Sequence, residues 1–281
     1  MHTLGRKKVF SMPDTYHVFC GDGRQPWVVA QLRARGCIVL AHNVPGMESW
    51  PLPPALSGRL IFPFPSFQGE YLRGKSGLPV REILNRLQPG ATVYGALFGA
   101  HRAAFEDAGA VVCDLYGSEP ITTLNAIPTA EGAIALAVDV SSVTLHGASC
   151  LVLGFGRVGR VLAQKLHALS ARVTVAARKP ADRAMATALG MLADVPRRYP
   201  GGLGQYDFVF NTVPAEILTP QQLGELKPSC TVIELASRPG GIPEDPCRAL
   251  GLSYHFAPGL PGLCAPETAG RLYADCILDS I

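Results

Sequence analysis

Apolar positions along this chain fall in short runs of four or five residues, separated by stretches in which they recur at helical spacing. The first run, Tyr16-His17-Val18-Phe19-Cys20, ends in Gly21-Asp22-Gly23-Arg24-Gln25; Val28, Val29 and Leu32 then mark a helix face that Gly36 stops. Cys37-Ile38-Val39-Leu40 is a second strand, so the chain opens as a βαβ unit. Strands are expected again at 59–63, 92–95 and 111–114, with helices near 79–87 and 101–108. The second half repeats the alternation, with strands at 149–153, 172–177, 207–211, 231–235 and 253–256 and helices near 157–170, 181–189, 219–224 and 244–250. Such alternation predicts an α/β protein of two Rossmann-like, doubly wound parallel-sheet domains with an interdomain cleft.

The join is expected at Asn125-Ala126-Ile127-Pro128-Thr129-Ala130-Glu131-Gly132, where an early proline precedes the apolar helix of Ala133, Ile134, Leu136, Ala137 and Val138. This places a substrate domain at 1–127 and a cofactor domain at 128–264. Residues 265–281, with a helix over 266–279, are expected to pack back on the first domain.

The strongest local signal is Gly154-Phe155-Gly156-Arg157-Val158-Gly159, lying between the strand Cys150-Leu151-Val152-Leu153 and the helical series Val161, Leu162, Leu166, Leu169. Alone, three glycines at this spacing are weak evidence; between a strand and a helix they are the dinucleotide fingerprint. The first glycine permits the turn, the second lets the backbone approach a pyrophosphate, and the third lets helix and strand pack closely. The next strand ends in Ala176-Ala177-Arg178-Lys179, with no acid where an NAD enzyme commonly holds its ribose hydroxyls. A carboxylate would repel a 2′-phosphate, whereas Arg178 and Lys179 suit one. The sequence therefore favours NADP, with NAD still open and a solvated strand end as the plain alternative. Asn211-Thr212-Val213-Pro214 and Ser237-Arg238-Pro239-Gly240-Gly241 follow two later strands, at the edge where such sheets bind ligands.

Composition narrows the class. The 281 residues are 48% hydrophobic and 17% charged, with a formal net charge of +3 spread along the chain, which speaks against a nucleic-acid footprint. No run approaches a membrane span, and Arg6, Lys7 and Lys8 precede no apolar core of a signal peptide, so a cytoplasmic protein without membrane association is expected. Eight cysteines without a C-x-x-C pair read as free thiols, and no metal site emerges.

Several motifs in one order resemble the family of dipicolinate synthase A subunits: Asn125-x-Ile-Pro-Thr-x-Glu-Gly132, Leu153-Gly-x-Gly-Arg157-x-Gly159, Leu235-Ala-Ser-Arg-Pro-Gly-Gly241, Ala257-Pro-Gly-Leu-Pro-Gly262 and Ala265-Pro-x-Thr-Ala-Gly270. The likeness is dense over 121–275 and thinner before it. It implies oxidation of dihydrodipicolinate to dipicolinate with a nicotinamide cofactor, in spore formation, together with the flavoprotein-like B subunit of dipicolinate synthase. A homodimer is compatible with it.

That chemistry needs groups that hold two carboxylates and accept a proton. Arg24 and Arg238 follow predicted strands on small-residue turns, where a bidentate donor can meet an anion or, as the plain reading has it, form a structural salt bridge. Ser66, Asn125, Thr129 and Ser237 can add hydrogen bonds. Glu131, expected in the first turn of the connector helix, is the candidate proton acceptor, although a carboxylate there also simply favours the helix dipole. Two other functions stay open: a non-catalytic NADP-binding subunit supporting a partner, and a shikimate-dehydrogenase-like enzyme for another small carboxylate. The second needs a lysine–aspartate pair, for which Lys75, beside Ser76, and Asp107 offer no convincing equivalent.

Overall fold

The computed structural model describes residues 15–280 except Ser76, Arg197 and Pro200; Arg6, Lys7 and Lys8 lie outside the described residues. The chain divides into two compact units, one running to Ile121 and resuming at Pro266, the other spanning Thr122–Ala265.

Unit 1 contains β1 (Thr15–Phe19), α1 (Gln25–Ala34), β2 (Ile38–His42), β3 (Arg59–Ile61), the short hairpin β4 (Phe67–Gln68) and β5 (Tyr71–Leu72), α2 (Val80–Leu84), β6 (Thr92–Gly95), α3 (His101–Asp107) and β7 (Val111–Asp114). Its parallel sheet has the order β2-β1-β3-β6-β7. Strand alternation sorts the core onto two faces. Tyr16, Val18, Ile61 and Tyr94 pack with Val28, Val29 and Leu32 of α1, while Phe19, Leu60 and Val93 face Ile83, Phe98 and Phe105. The hairpin is absent from the sequence-based expectation because its strands are two residues each, too short to carry a period.

The division falls within α4 (Glu119–Leu124), which leads through Asn125 into α5 (Ala126–Val140). By length and mean hydropathy of 1.3 the run Glu119–Val140 could cross a membrane, in contrast to the expectation that no segment would. Its second helix instead buries Ala130, Ala133 and Ala137 in the core of unit 2.

Unit 2 continues with β8 (Ser149–Leu153), α6 (Arg157–Ala168), β9 (Arg172–Ala176), α7 (Pro180–Ala188), β10 (Leu192–Asp194), β11 (Phe208–Asn211), α8 (Pro220–Leu223), β12 (Thr231–Glu234), α9 (Glu244–Ala249), β13 (Ser253–Phe256) and α10 (Leu260–Cys264). All pairings in its six-stranded sheet are parallel, in the order β10-β9-β8-β11-β12-β13. Cys150, Val152, Phe208 and Phe210 face α5 and α6; Leu151, Leu153 and Val209 face the opposite core with Leu223 and Cys247. Two expectations missed elements here. β10 has only three residues, and α10 occupies the segment read as a rigid turn, where Gly259 in the left-handed region starts a helix with a proline in its first turn.

The last helix, α11 (Pro266–Asp279), belongs to unit 1. Gly270 lies against α1, where a Cβ would stand 2.4 Å from the Arg24 carbonyl oxygen. Tyr273 donates to the Phe62 carbonyl, 3.1 Å away, and Asp275 accepts from Gln31 and Arg35, each at 2.9 Å.

Candidate dinucleotide site

In unit 2 the strand order reverses between β8 and β9 on one side and β11 on the other, and ligands of such sheets sit at the carboxyl ends of the strands there. The loop at that point is Gly154–Gly159. Gly154 has φ +94°, and a Cβ on it would press on Thr212 Oγ1 at 2.6 Å. A Cβ on Gly159 would lie 2.3 Å from the Gly154 carbonyl oxygen, so its absence sets how closely α6 lies on β8. At Gly156 a Cβ would meet nothing within 4 Å: that side of the backbone is open space. Gly156 caps α6 in extended backbone with no side-chain hydrogen bond, so the helix start is not covered by a side chain of its cap residue. Arg157 is exposed and Val158 half-buried, while Phe155 is buried beneath the Arg160 guanidinium, 5.2 Å from its ring centre. A glycine-lined turn opening onto an uncapped helix start fits a dinucleotide pyrophosphate.

Beside it, β9 ends in exposed Arg178 and Lys179, which among the described residues pair with no carboxylate. Arg183 donates to the Ala177 and Arg178 carbonyl oxygens at 2.8 and 2.7 Å and so fixes the strand end that presents Arg178.

The turn 211–214 does more shaping than touching. Asn211 is fully buried; its Nδ2 donates to the Val213 carbonyl and its Oδ1 accepts from the Val213 N–H, both at 3.0 Å. Thr212 Oγ1 donates to the Leu153 carbonyl at 2.8 Å. Val213 is half-buried and Pro214 exposed. The same Asn211 Nδ2 donates 2.8 Å to both oxygens of Glu234, a fully buried carboxylate that sequence reasoning overlooked. Glu234 also accepts from the N–H groups of Ala236, Gly241 and Ile242 at 2.9, 3.0 and 3.0 Å. Burial pushes its carboxyl up, while these donors pull it down; the net shift is upward. Ser237 and Arg238 lie exposed on the loop it holds, and the Arg238 guanidinium sits 4.4 Å over the Phe256 ring with no carboxylate partner among the described residues.

Asn125 is the N-cap of α5 without a side-chain capping bond, and Thr129 returns its hydroxyl to the Asn125 carbonyl at 2.8 Å, a bond within the helix rather than toward a ligand. Glu131 departs from expectation. It lies in the second turn of α5, is exposed, and pairs with Lys165 at 2.8 Å. Lys165 is in the last turn of α6, about 12 Å along that helix from the glycine turn, so the Glu131 carboxylate is held by a partner from the far half of α6.

In unit 1, Arg24 and Ser66 both follow strands at the β1/β3 switch point, yet both are engaged internally. Arg24 is buried, grips Asp22 through Nε at 2.9 Å and a terminal nitrogen at 2.6 Å, and donates to the Phe64 carbonyl. Burial works to raise the Asp22 carboxyl, but Arg24 outweighs it and holds it below the usual range. Ser66 has no exposed surface, donates to the Pro63 carbonyl and accepts from the Ala96 N–H, each at 2.8 Å, so it staples the two loops together. His17 and His42 form a buried stacked pair, Nδ1 to Nε2 at 3.0 Å; burial and the second ring push His17 down to about 4. All eight cysteines are free, four of them buried. No group of three potential metal ligands occurs among the described residues. Lys75 and Asp107 are both exposed.

No protein-family model matches the chain. The A subunit of dipicolinate synthase of Bacillus subtilis (strain 168) is 37% identical over 163 residues, 58% of this chain and 55% of that protein, so the match spans about half of that relative. The crystal structure of the dipicolinate synthase A subunit from Bacillus halodurans superposes with a TM-score of 0.87 at 26% identity, covering 95% of this chain and 97% of that one. The crystal structure of the corresponding polypeptide of dipicolinate synthase from Bacillus subtilis gives 0.84 at 26% identity, with 96% of each chain covered. At 17% identity and a TM-score of 0.68, over 94% of this chain and 92% of that one, a transhydrogenase from Sinorhizobium meliloti shares the fold alone. The chain thus resembles the dipicolinate synthase A subunit in both sequence and fold, and its two sheets are of the Rossmann type.

Proposed function

From that likeness we propose that the chain is a nicotinamide-dependent dehydrogenase subunit that oxidises dihydrodipicolinate to dipicolinate during spore formation, with NADP preferred over NAD. The observation that carries the cofactor half of this reading is the turn at Gly154, Gly156 and Gly159, open at Gly156 and ending on an uncapped helix start. Backbone N–H groups of residues 156–159 would hold the pyrophosphate. Exposed, unpaired Arg178, with Lys179 beside it, would grip a 2′-phosphate. The bound nicotinamide supplies the hydride acceptor.

The protein's own part is to place a dianionic ring. Arg238 is the cation best suited to hold a carboxylate, because it is exposed, unpaired and carried on a loop pinned at both ends. Ser237 would add a hydrogen bond. Arg24 belongs to the framework that shapes the unit 1 switch point, its charge already met by Asp22. Aromatisation is downhill, so the proton can pass to water. The protein would work in the cytoplasm with the flavoprotein-like B subunit of the synthase, and a homodimer is compatible with this arrangement.

Fluorescence titration with NADPH and NADH tests the reading. Tighter NADPH binding, lost selectively in Arg178→Ala, is expected; equal binding of both cofactors, unchanged by the substitution, would overturn the NADP assignment. One observation favours a second reading, a non-catalytic cofactor-binding subunit: both candidate carboxylates are engaged, Glu234 by buried N–H donors and Glu131 by Lys165. NADPH binding without dihydrodipicolinate turnover, unless the partner protein is added, would select it.

A further inference from the structure

Both loops that flank the glycine-rich turn end on one buried carboxylate. Each Glu234 oxygen faces only N–H donors: Oε1 accepts from Asn211 and Ala236, Oε2 from Asn211, Gly241 and Ile242. The first loop, 235–242, carries Ser237 and Arg238. Asn211 extends the hold to the second, because its remaining bonds close the turn on Val213. Val213 in turn abuts the fingerprint: a Cβ on Gly154 would stand 2.9 Å from Val213 Cγ2. The two loops also interlock at Gly241, where a Cβ would meet the Val213 and Ala215 carbonyl oxygens at 2.4 and 2.5 Å. A single buried carboxylate at the end of β12 is therefore joined by unbroken contacts to the glycine turn and to the loop bearing the proposed carboxylate anchor.

We infer that Glu234 is the positioning residue of this site, fixing through Asn211 the wall of the dinucleotide turn and through three backbone N–H groups the loop that presents Arg238. The inference rests on the proposed dinucleotide site. Its chemistry demands a carboxylate and not merely an acceptor. A glutamine at 234 must turn its own NH2 toward at least two of the donors that the carboxylate satisfies, so it leaves buried N–H groups unmatched.

The test compares wild type, Glu234→Gln and Asn211→Ala by hydrogen exchange and by NADPH titration, with thermal unfolding to verify folding. In Glu234→Gln, faster exchange is expected in both 211–214 and 235–242. NADPH affinity should weaken about tenfold, the factor that follows if the loosened turn holds its binding form a tenth of the time. Asn211→Ala should loosen 211–214 with 235–242 unchanged and weaken NADPH similarly; it carries the test if Glu234→Gln does not fold. Loosened loops with wild-type NADPH affinity in both variants would overturn the positioning role, as would exchange confined to 235–242 in Glu234→Gln. Failure of wild type itself to bind either dinucleotide would instead bring down the dinucleotide reading and this inference with it, and is read without any variant.

Discussion

Alanine at two positions of the glycine turn separates binding from folding. Gly156 has φ −73° and ψ −163°, a conformation open to any residue, and its Cβ would enter space free of atoms to 4 Å. Gly156→Ala should therefore leave stability within about 0.5 kcal/mol of wild type, as substitutions free of packing or strain do. If a pyrophosphate passes over that backbone, the added methyl takes the space of its oxygen atoms. Losing even two charge-assisted hydrogen bonds at about 1.5 kcal/mol each would weaken binding by about two orders of magnitude.

Gly159→Ala behaves differently. Its Cβ would stand 2.3 Å from the Gly154 carbonyl oxygen and 2.9 Å from that carbonyl carbon, and backbone atoms cannot rotate aside. Overpacking of this kind costs about 1–3 kcal/mol, which outweighs the gain of up to about 1 kcal/mol from replacing glycine inside a helix. Thermal unfolding and NADPH titration of both variants check the pair. Gly156→Ala should bind poorly at a normal Tm, and Gly159→Ala should lose both. Gly156→Ala binding NADPH as wild type does would refute the placement of the pyrophosphate at this turn.

Other outcomes follow from the same contacts. His17, neutral in its buried pair, has a folded value of about 4 against 6.5 in the unfolded chain, so the unfolded state binds the extra proton between those values. Stability contributed by the neutral ring is complete above pH 6.5 and is lost as pH falls toward 4, by about 3 kcal/mol from the 1.36 kcal/mol carried by each unit; urea unfolding should show a steeper slope in wild type than in His17→Leu, where burial still holds His42 down. Glu131→Gln should retain full turnover and lose at most about 1 kcal/mol, because its partner Lys165 forms an exposed pair with it; a loss of turnover at normal stability would restore Glu131 to the chemistry. Arg24→Ala should lower the Tm, costing about 1–3 kcal/mol through the orphaned Phe64 carbonyl and Asp22. Arg238→Ala should leave the Tm and NADPH affinity unchanged and raise KM for dihydrodipicolinate.

Much of the fold could be read from the chain because most strands and helices are long enough to display a period. β8, α6 and β9 satisfy alternation, helical spacing and glycine placement together, and the fingerprint falls where those patterns meet. What stayed hidden was too short or not periodic: β10 with three residues, the β4–β5 hairpin, and α10, whose prolines and glycines look like a turn. The site divided along another line. Backbone roles, such as those of Gly154 and Gly159, follow from residue type alone. Whether Arg24 or Arg238 is free for a ligand depends on partners that spacing alone does not reveal, the nearby Asp22 and the distant Phe64 for Arg24 and Phe256 for Arg238. Glu234 escaped notice because a glutamate ending a strand normally reads as an exposed terminus. Its burial depends on residues 235–242 folding back around it, and the signal available was the glycine pair Gly240-Gly241 a few residues later.

The two sheets put their switch points to different uses. In unit 1 the carboxyl ends of β1 and β3 are closed by their own polar groups, with Arg24 on Asp22 and the Phe64 carbonyl, and Ser66 between Pro63 and Ala96. Ser66 has its hydroxyl donor and an acceptor site engaged and Arg24 its Nε and one terminal nitrogen, and opening any of these bonds for a ligand would cost what the ligand supplies. In unit 2 the polar groups beside the glycine turn, Glu234, Asn211 and Thr212, are equally satisfied, but they satisfy each other or the backbone beneath the surface. Three cationic residues, Arg178, Lys179 and Arg238, are left exposed above them without carboxylate partners among the described residues. Exposed charges on a rigid, internally satisfied base cost little to desolvate against an anion and little entropy to hold in place, which is the condition for binding rather than folding. Within the described residues that condition is met at the carboxyl ends of β9 and β12, and it is there that both anionic ends of the proposed chemistry, cofactor phosphate and substrate carboxylate, would find their counter-charge.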